Sequence, residues 1–256
     1  MQVIVIANLA PITGKTMLAT NFAVMAACDA NVYGHYAVIF DLDPGPTQAP
    51  QDPCHKAIQW YRNRHISDGP LACSTALDRL NKQIQVLRDT RMIDTLIVDT
   101  PSGNPRVMEM SLGYADHIVV PVLRPVLGHG KTDIDGTAQT FSYVTVHCPR
   151  VPITVVQNRT PSRLATISTT EDTSWPWGDH KPSASILECE GLKMAYYQGR
   201  GIEELVKDTQ YNTPNGQGQN HKAKWDLYNL WSSVRWARGM PPGNAFSSQR
   251  LSSPMK

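Results

Sequence analysis

The sequence has no apolar run approaching the ~20 residues that a membrane-spanning helix needs. Its first residues, MQVIVIAN, place no basic stretch ahead of their short hydrophobic run. These absences argue against a spanning segment and a secretory leader, and lead us to expect a soluble, cytoplasmic protein. Cys28, Cys54, Cys73, Cys148 and Cys189 are odd in number, widely spread and form no CxxC pair, which argues against a disulfide framework or a structural zinc site and fits a reducing compartment. The 8 histidines show no HExxH or other ligand spacing, so no transition metal is expected. No GxSxG elbow and no Cys/His pairing points to nucleophilic catalysis. Excess charge is also missing: 24 basic against 22 acidic residues leave +2, so any attraction to nucleic acid must come from local clustering.

What the chain does have is 256 residues, 41% of them hydrophobic, enough for one large α/β domain. Short β-branched runs recur at Val3 to Ala7, Ala37 to Phe40, Thr95 to Val98, His117 to Val122 and Ile153 to Val156, with helical stretches between them. Near-continuous apolar strands of this kind suit a mostly parallel, doubly wound sheet flanked by helices on both faces. Helices are expected over about Lys15 to Ala27, Cys73 to Asp89, Gly191 to Gln198 and Lys222 to Arg238. SWPWGDHKPSAS, within Thr166 to Ser185, reads as a surface loop. We expect residues 1–238 to form one domain and residues 239–256 a flexible tail.

Three stretches carry chemistry. A phosphate-binding loop needs a strand, a tight turn with backbone N–H groups facing the anion, a lysine for the β and γ phosphates, and a hydroxyl for Mg2+. Gly14, Lys15 and Thr16 supply its second half, between the strand VIVIA and a helix. DLDP follows the second apolar run, with Asp41 and Asp43 two residues apart and able to leave a strand end toward one face. Carboxylates there can hold metal-bound water or orient an attacking water. LIVDTPSG then places Asp99 after a further strand. Each stretch alone is also what an ordinary helix start or strand-end turn looks like; the order of all three is the signal.

In VIVIAN with GKT, VIFDLDP, DTLIVDTPSG, ADHIVVPV, ITVVQNR and the late MAYYQGRGIEEL, the chain resembles the deviant Walker A ATPases of the ParA/MinD family, P-loop NTPases that partition plasmids and position cargo. Most of the chain takes part, and without an added N-terminal DNA-binding domain it is similar to the short members. The resemblance implies that ATP is held by Thr13, Gly14, Lys15, Thr16 and Met17, with Lys15 on the β and γ phosphates and Thr16 on Mg2+. It implies that Asp43 orients the attacking water, that Asp41 and Asp99 support the metal's water shell, that Thr100 to Gly103 form a switch sensing the γ phosphate, and that Asn158 meets the adenine. It further implies an ATP-dependent homodimer, non-specific DNA binding on the nucleoid, and a small adaptor or activator of ParB type. The cargo is left open among a plasmid, a conjugation complex and a microcompartment such as a carboxysome.

The chain departs from this family where its loop reads APITGKT instead of KGGxGKT. Ala10 has no charge to offer across a dimer, and Pro11 and Ile12 replace glycines. A cation elsewhere substitutes, with Lys131 and Arg124 as candidates; or the dimer forms without the contact and hydrolyses slowly; or ATP binding is lost. Lys222, Lys224, Arg235, Arg238, Arg250 and Lys256 fit either phosphate contacts on DNA or a solvated helix face and tail. In KWDLYNLWSSVRW, Leu227, Leu230, Trp231 and Val234 share one helical face and read as core, and no membrane contact is expected. A small-molecule P-loop kinase or ligase and a non-hydrolysing regulator are the rival functions.

Overall fold

The computed structural model describes residues 1–33, 36–42, 56–65, 70–75, 77–91, 93–123, 131–160, 177, 180–208 and 214–236. Seven strands form one parallel sheet in the order β3-β2-β4-β1-β5-β6-β7. The strands are β1 (Gln2–Ile6), β2 (Tyr36–Asp41), β3 (Leu71–Ser74), β4 (Ile93–Asp99), β5 (His117–Leu123), β6 (Ile153–Thr160) and β7 (Ala184–Leu187). The helices are α1 (Lys15–Tyr33), α2 (Lys56–Arg62), α3 (Leu80–Thr90), α4 (Pro105–Leu112), α5 (Lys131–His147), α6 (Glu190–Tyr197), α7 (Ile202–Lys207) and α8 (Pro214–Trp236). The fold class expected from the sequence is the one observed.

Alternation along the strands divides the core in two. Ile4, Ile6, Ile39 and Ile97 point to a layer built by α1, α2, α6, α7 and α8, where Phe22 meets Trp231 at 5.3 Å between ring centroids. Val3, Val5, Phe40 and Val98 point to the layer of α3, α4 and α5. Leu227, Leu230, Trp231 and Val234 are buried in the first layer, so this face of α8 is core. Each such side chain contributes about 1.5–3 kcal/mol by leaving water.

Four expectations need correction. Cys73 belongs to β3 and not to a helix: LACS pairs with β2, and helix begins only at Leu80 after a 3-10 turn over Leu77–Arg79. Ala184 and Ser185 open β7 instead of closing a loop, and Trp177 is buried, its ring 6.1 Å from Phe141 and its Nε1 donating to the His180 carbonyl. Helix α1 extends to Tyr33, and α8 begins at Pro214, a good two turns before Lys222. Asp43, Arg124, Arg238, Arg250, Lys256 and residues 239–256 lie outside the described residues.

Candidate functional site

All the motif residues that are described collect at the carboxyl edge of the sheet, where ligands bind in folds of this type. Between β1 and α1 the chain makes a buried loop. Its first half is fixed by side chains from α5 and by its own asparagine. Asn8 Nδ2 donates to the Pro121 carbonyl at 2.8 Å and to Thr137 Oγ1 at 3.1 Å, while its Oδ1 accepts from the Ala10 amide at 2.8 Å. The Leu9 amide donates to Thr140 Oγ1 at 2.8 Å. Gly136 lies so close that a Cβ there would sit 2.8 Å from the Ala10 nitrogen. Ala10, 1% exposed, thus stands buried against α5.

The second half turns into the helix through two residues of positive φ, Ile12 at 58° and Gly14 at 90°. For Gly14 this region is free of strain; for Ile12, β-branched and 67% exposed, it is costly. The turn keeps a path that the sequence, lacking the usual glycines, would not announce. α1 then starts at Lys15, and the Leu18 amide donates to the Gly14 carbonyl at 3.0 Å. Lys15 is buried, and its Nζ donates to the Ala10 carbonyl at 3.0 Å and to Ser102 Oγ at 2.8 Å. It therefore ties the loop to the segment after β4. The Gly103 amide repeats that tie on the Leu9 carbonyl at 2.9 Å, and the Thr100 hydroxyl donates to the Ile6 carbonyl at 2.9 Å.

Asp41 and Asp99 end β2 and β4 as register partners, both buried and on the α1 side of the sheet. Asp41 Oδ2 accepts from the amides of Ala57 at 2.8 Å and Ile58 at 3.3 Å, holding the start of α2. That role was not foreseen for a residue assigned to a metal's water shell. Asn158, at the end of β6, is buried and donates from Nδ2 to the Thr13 carbonyl at 2.8 Å. Its amide braces the loop, a role beside the adenine contact that the resemblance implies. Lys131 is the first residue of α5.

The loop, the segment after β4 and Asn158 border an open cavity of about 490 Å3, within the usual size of small-molecule sites. One end is Thr13 to Met17 with Thr100 and Ser102; the rest includes Asn158, Leu187, Leu192, Lys193, Tyr196 and Tyr197. The helix N-terminus and Lys15 make the loop end suited to an anion. Thr13 Oγ1 is buried there with no hydrogen-bond partner among the described residues, as a ligand-binding hydroxyl would be. Leu187, Leu192 and the two tyrosines in that remainder suit a planar base. The residues present fit a nucleoside triphosphate, and the Thr16 hydroxyl at the loop end fits a ligand to its Mg2+. Cys189 also lines the cavity, and burial pushes its thiol up, away from the reactive thiolate form.

Sequence reading missed Lys56, Arg159, Lys193 and the two tyrosines as cavity residues. MAYYQGRGIEEL was the available signal for the tyrosines, since it stood out as a motif without an assigned task. Among the described residues, no group of three or more His, Cys, Asp or Glu side chains could hold a metal alone, and no helix is long and apolar enough to cross a membrane. On α8, Lys222 pairs with Asp226 at 3.0 Å, Lys224 with Glu203 at 2.9 Å, and Arg235 lies 5.8 Å over Trp231. The basic stretch thus meets a second acid, Glu203 of α7, that the local sequence did not contain.

No protein-family model matches the chain, and no curated protein matches it. Solved structures do. The MinD cell division protein of Aquifex aeolicus aligns with 94% of this chain and 98% of its own at a TM-score of 0.61 and 16% identity. MinD of Pyrococcus horikoshii, complexed with Mg-ADP, aligns over 93% and 97% with a TM-score of 0.58 and 14% identity. A ParA family ATPase of Chlorobium tepidum aligns over 89% and 99% with a TM-score of 0.56 and 15% identity. The fold of this chain is that of the ParA/MinD ATPases.

Proposed function

We propose that this chain is a ParA-like ATPase that binds ATP and Mg2+ in the cavity, dimerises in the ATP state, engages DNA without sequence preference, and partitions or positions a cargo. The observation that carries the reading is Lys15, bridging the loop to Ser102 at one end of a cavity that Leu187, Leu192, Tyr196 and Tyr197 also line. Phosphates resting on the loop amides and Lys15 are the ligand that this geometry suits best. Thr16 ligates Mg2+, with Asp41 and Asp99 orienting its waters. Bound Mg2+ neutralises charge on the phosphate oxygens. Asp43 orients the attacking water, and Thr100 to Gly103, already bonded to the loop, respond to the γ phosphate. Hydrolysis is slow until a ParB-type activator binds.

For the missing cross-dimer lysine, Lys131 is our candidate. It lies five residues before Gly136, which packs on the loop, and so about 7.5 Å away along the helix axis. The protein would then reside in the cytoplasm, on the nucleoid in its ATP state.

The test is ATP binding and phosphate release by wild-type protein, Lys15→Ala and Asp43→Ala, with and without DNA. Lys15→Ala is expected to lose nucleotide binding; Asp43→Ala is expected to bind ATP, fail to hydrolyse it and stay on DNA. A fully active Asp43→Ala protein would sink the mechanism. Release that needs a small co-substrate and ignores DNA would instead indicate a P-loop kinase or ligase, and tight binding without release a regulator. Lys131→Ala is expected to weaken the dimer while leaving monomer binding intact.

A further inference from the structure

Helix α2 and the two residues after it grip the end of α6 and the turn before α7 at the carbonyls of Tyr197, Gly199 and Arg200. The Tyr196 hydroxyl donates to the Lys56 carbonyl at 2.8 Å at the start of α2. Near its end, Trp60 Nε1 donates to the Arg200 carbonyl at 2.9 Å, and Asn63 Nδ2 to the Tyr197 carbonyl at 3.0 Å. Gly199, at φ +66°, packs so tightly that a Cβ would run into the backbone of Trp60, Asn63 and Arg64.

Arg64 is the centre of this contact. Its side chain is 2% exposed, lies 5.1 Å over the Trp60 ring, and donates to the Gly199 carbonyl at 3.0 Å. The two guanidinium nitrogens meet both Glu204 oxygens at 2.7 and 3.0 Å. Glu204 Oε2 in turn accepts from the Gly201 amide at 2.9 Å, which caps α7. A forked, charge-assisted pair at this depth fixes orientation as well as distance. What it orients is the end of α6, whose Tyr196 and Tyr197 form part of the cavity wall away from the loop.

We propose that Arg64 is a positioning residue for the base of the bound nucleotide: it holds the α6 wall in place, while the triphosphate is held independently by the loop. This rests on the nucleotide reading above and deepens it, because it divides the cavity into a part governed by Lys15 and a part governed by a residue that touches no ligand. Base stacking on an aromatic wall adds to affinity, so losing the wall's placement should cost about tenfold in affinity.

The experiment titrates full-length wild-type, Arg64→Ala and Arg64→Lys proteins with ATP and with inorganic tripolyphosphate, both with Mg2+, by calorimetry. Arg64→Ala is expected to weaken ATP by about tenfold or more and to leave tripolyphosphate within about twofold. Arg64→Lys, which keeps the charge and loses the fork, is expected between the two. Equal weakening of both ligands, unchanged ATP affinity, or wild-type protein that binds tripolyphosphate as tightly as ATP would each overturn the proposal alone. Wild-type protein that binds neither ligand overturns the nucleotide reading and the proposal with it. Because removing one partner of a buried pair can prevent folding, Asn63→Ala supplies the same comparison from a partly exposed position, with the same ligand dependence expected.

Discussion

Asn158 donates its side-chain amide to the Thr13 carbonyl at 2.8 Å and fills the space where a Cβ on Gly14 would lie. The last turn before Lys15 therefore accepts only glycine, both for φ and for room. Gly14→Ala is expected to lose about 1–3 kcal/mol of stability through backbone strain. It is also expected to lose nucleotide affinity, because the loop must move away from β6. Denaturant unfolding and titration with a fluorescent ATP analogue check the two effects. An unchanged dissociation constant would mean that this turn does not hold the ligand.

Ala10 bears on what the altered loop can still do. Its amide is taken by Asn8, its carbonyl accepts from Lys15, and the backbone of Gly136 lies against it. A lysine at this position would have to bury its stem beside α5 or push the helix away, at a cost of about 1–3 kcal/mol from overpacking alone. Ala10→Lys is expected to lower the melting temperature and not to strengthen the ATP-dependent dimer. A tighter dimer in analytical ultracentrifugation would contradict the packing described.

How much of this was legible in the sequence depended on burial. β1, β2, β4, β5 and β6 read clearly because strands covered on both faces must be apolar throughout. β3 did not, since LACS lies at the sheet's edge with Leu71 55% exposed and carries little apolar signal. β7 was hidden for a different reason: the prolines and serines ahead of it outweigh its four residues. Lys15, Thr16, Asp41 and Asp99 were singled out by their place after strands, which is a local property. The grip of Arg64 on Glu204 spans 140 residues, and Asp41's hold on α2 joins a strand end to a helix 16 residues on. Such pairings follow from tertiary packing, and no spacing rule reports them.

Asp41 gives a stability prediction separate from catalysis. Its buried carboxylate accepts from two amides at the start of α2, bonds of the charge-assisted kind. Asp41→Asn keeps the shape and removes the charge, and is expected to destabilise the nucleotide-free protein by about 1–3 kcal/mol. Urea unfolding without nucleotide measures it. Unchanged stability, with loss confined to hydrolysis, would leave Asp41 a metal-site residue only.

His117 sets a pH dependence far from the site. It is buried at the start of β5, its Nε2 is 2.8 Å from Thr154 Oγ1, and burial lowers its pKa from 6.5 to about 4. Above pH 6.5 the imidazole is neutral in folded and unfolded chains alike and has no effect. Between pH 6.5 and about 4 the unfolded chain takes up a proton that the folded protein refuses, so stability falls as pH falls through this window. At 1.36 kcal/mol per pKa unit, the loss attributable to this residue reaches about 3 kcal/mol near pH 4. His117→Gln cannot take up that proton, so its unfolding free energy is expected to decline less steeply over the same window than that of the wild type. Urea midpoints measured every half unit of pH would show the difference, and parallel curves would mean that His117 is protonated in the folded protein.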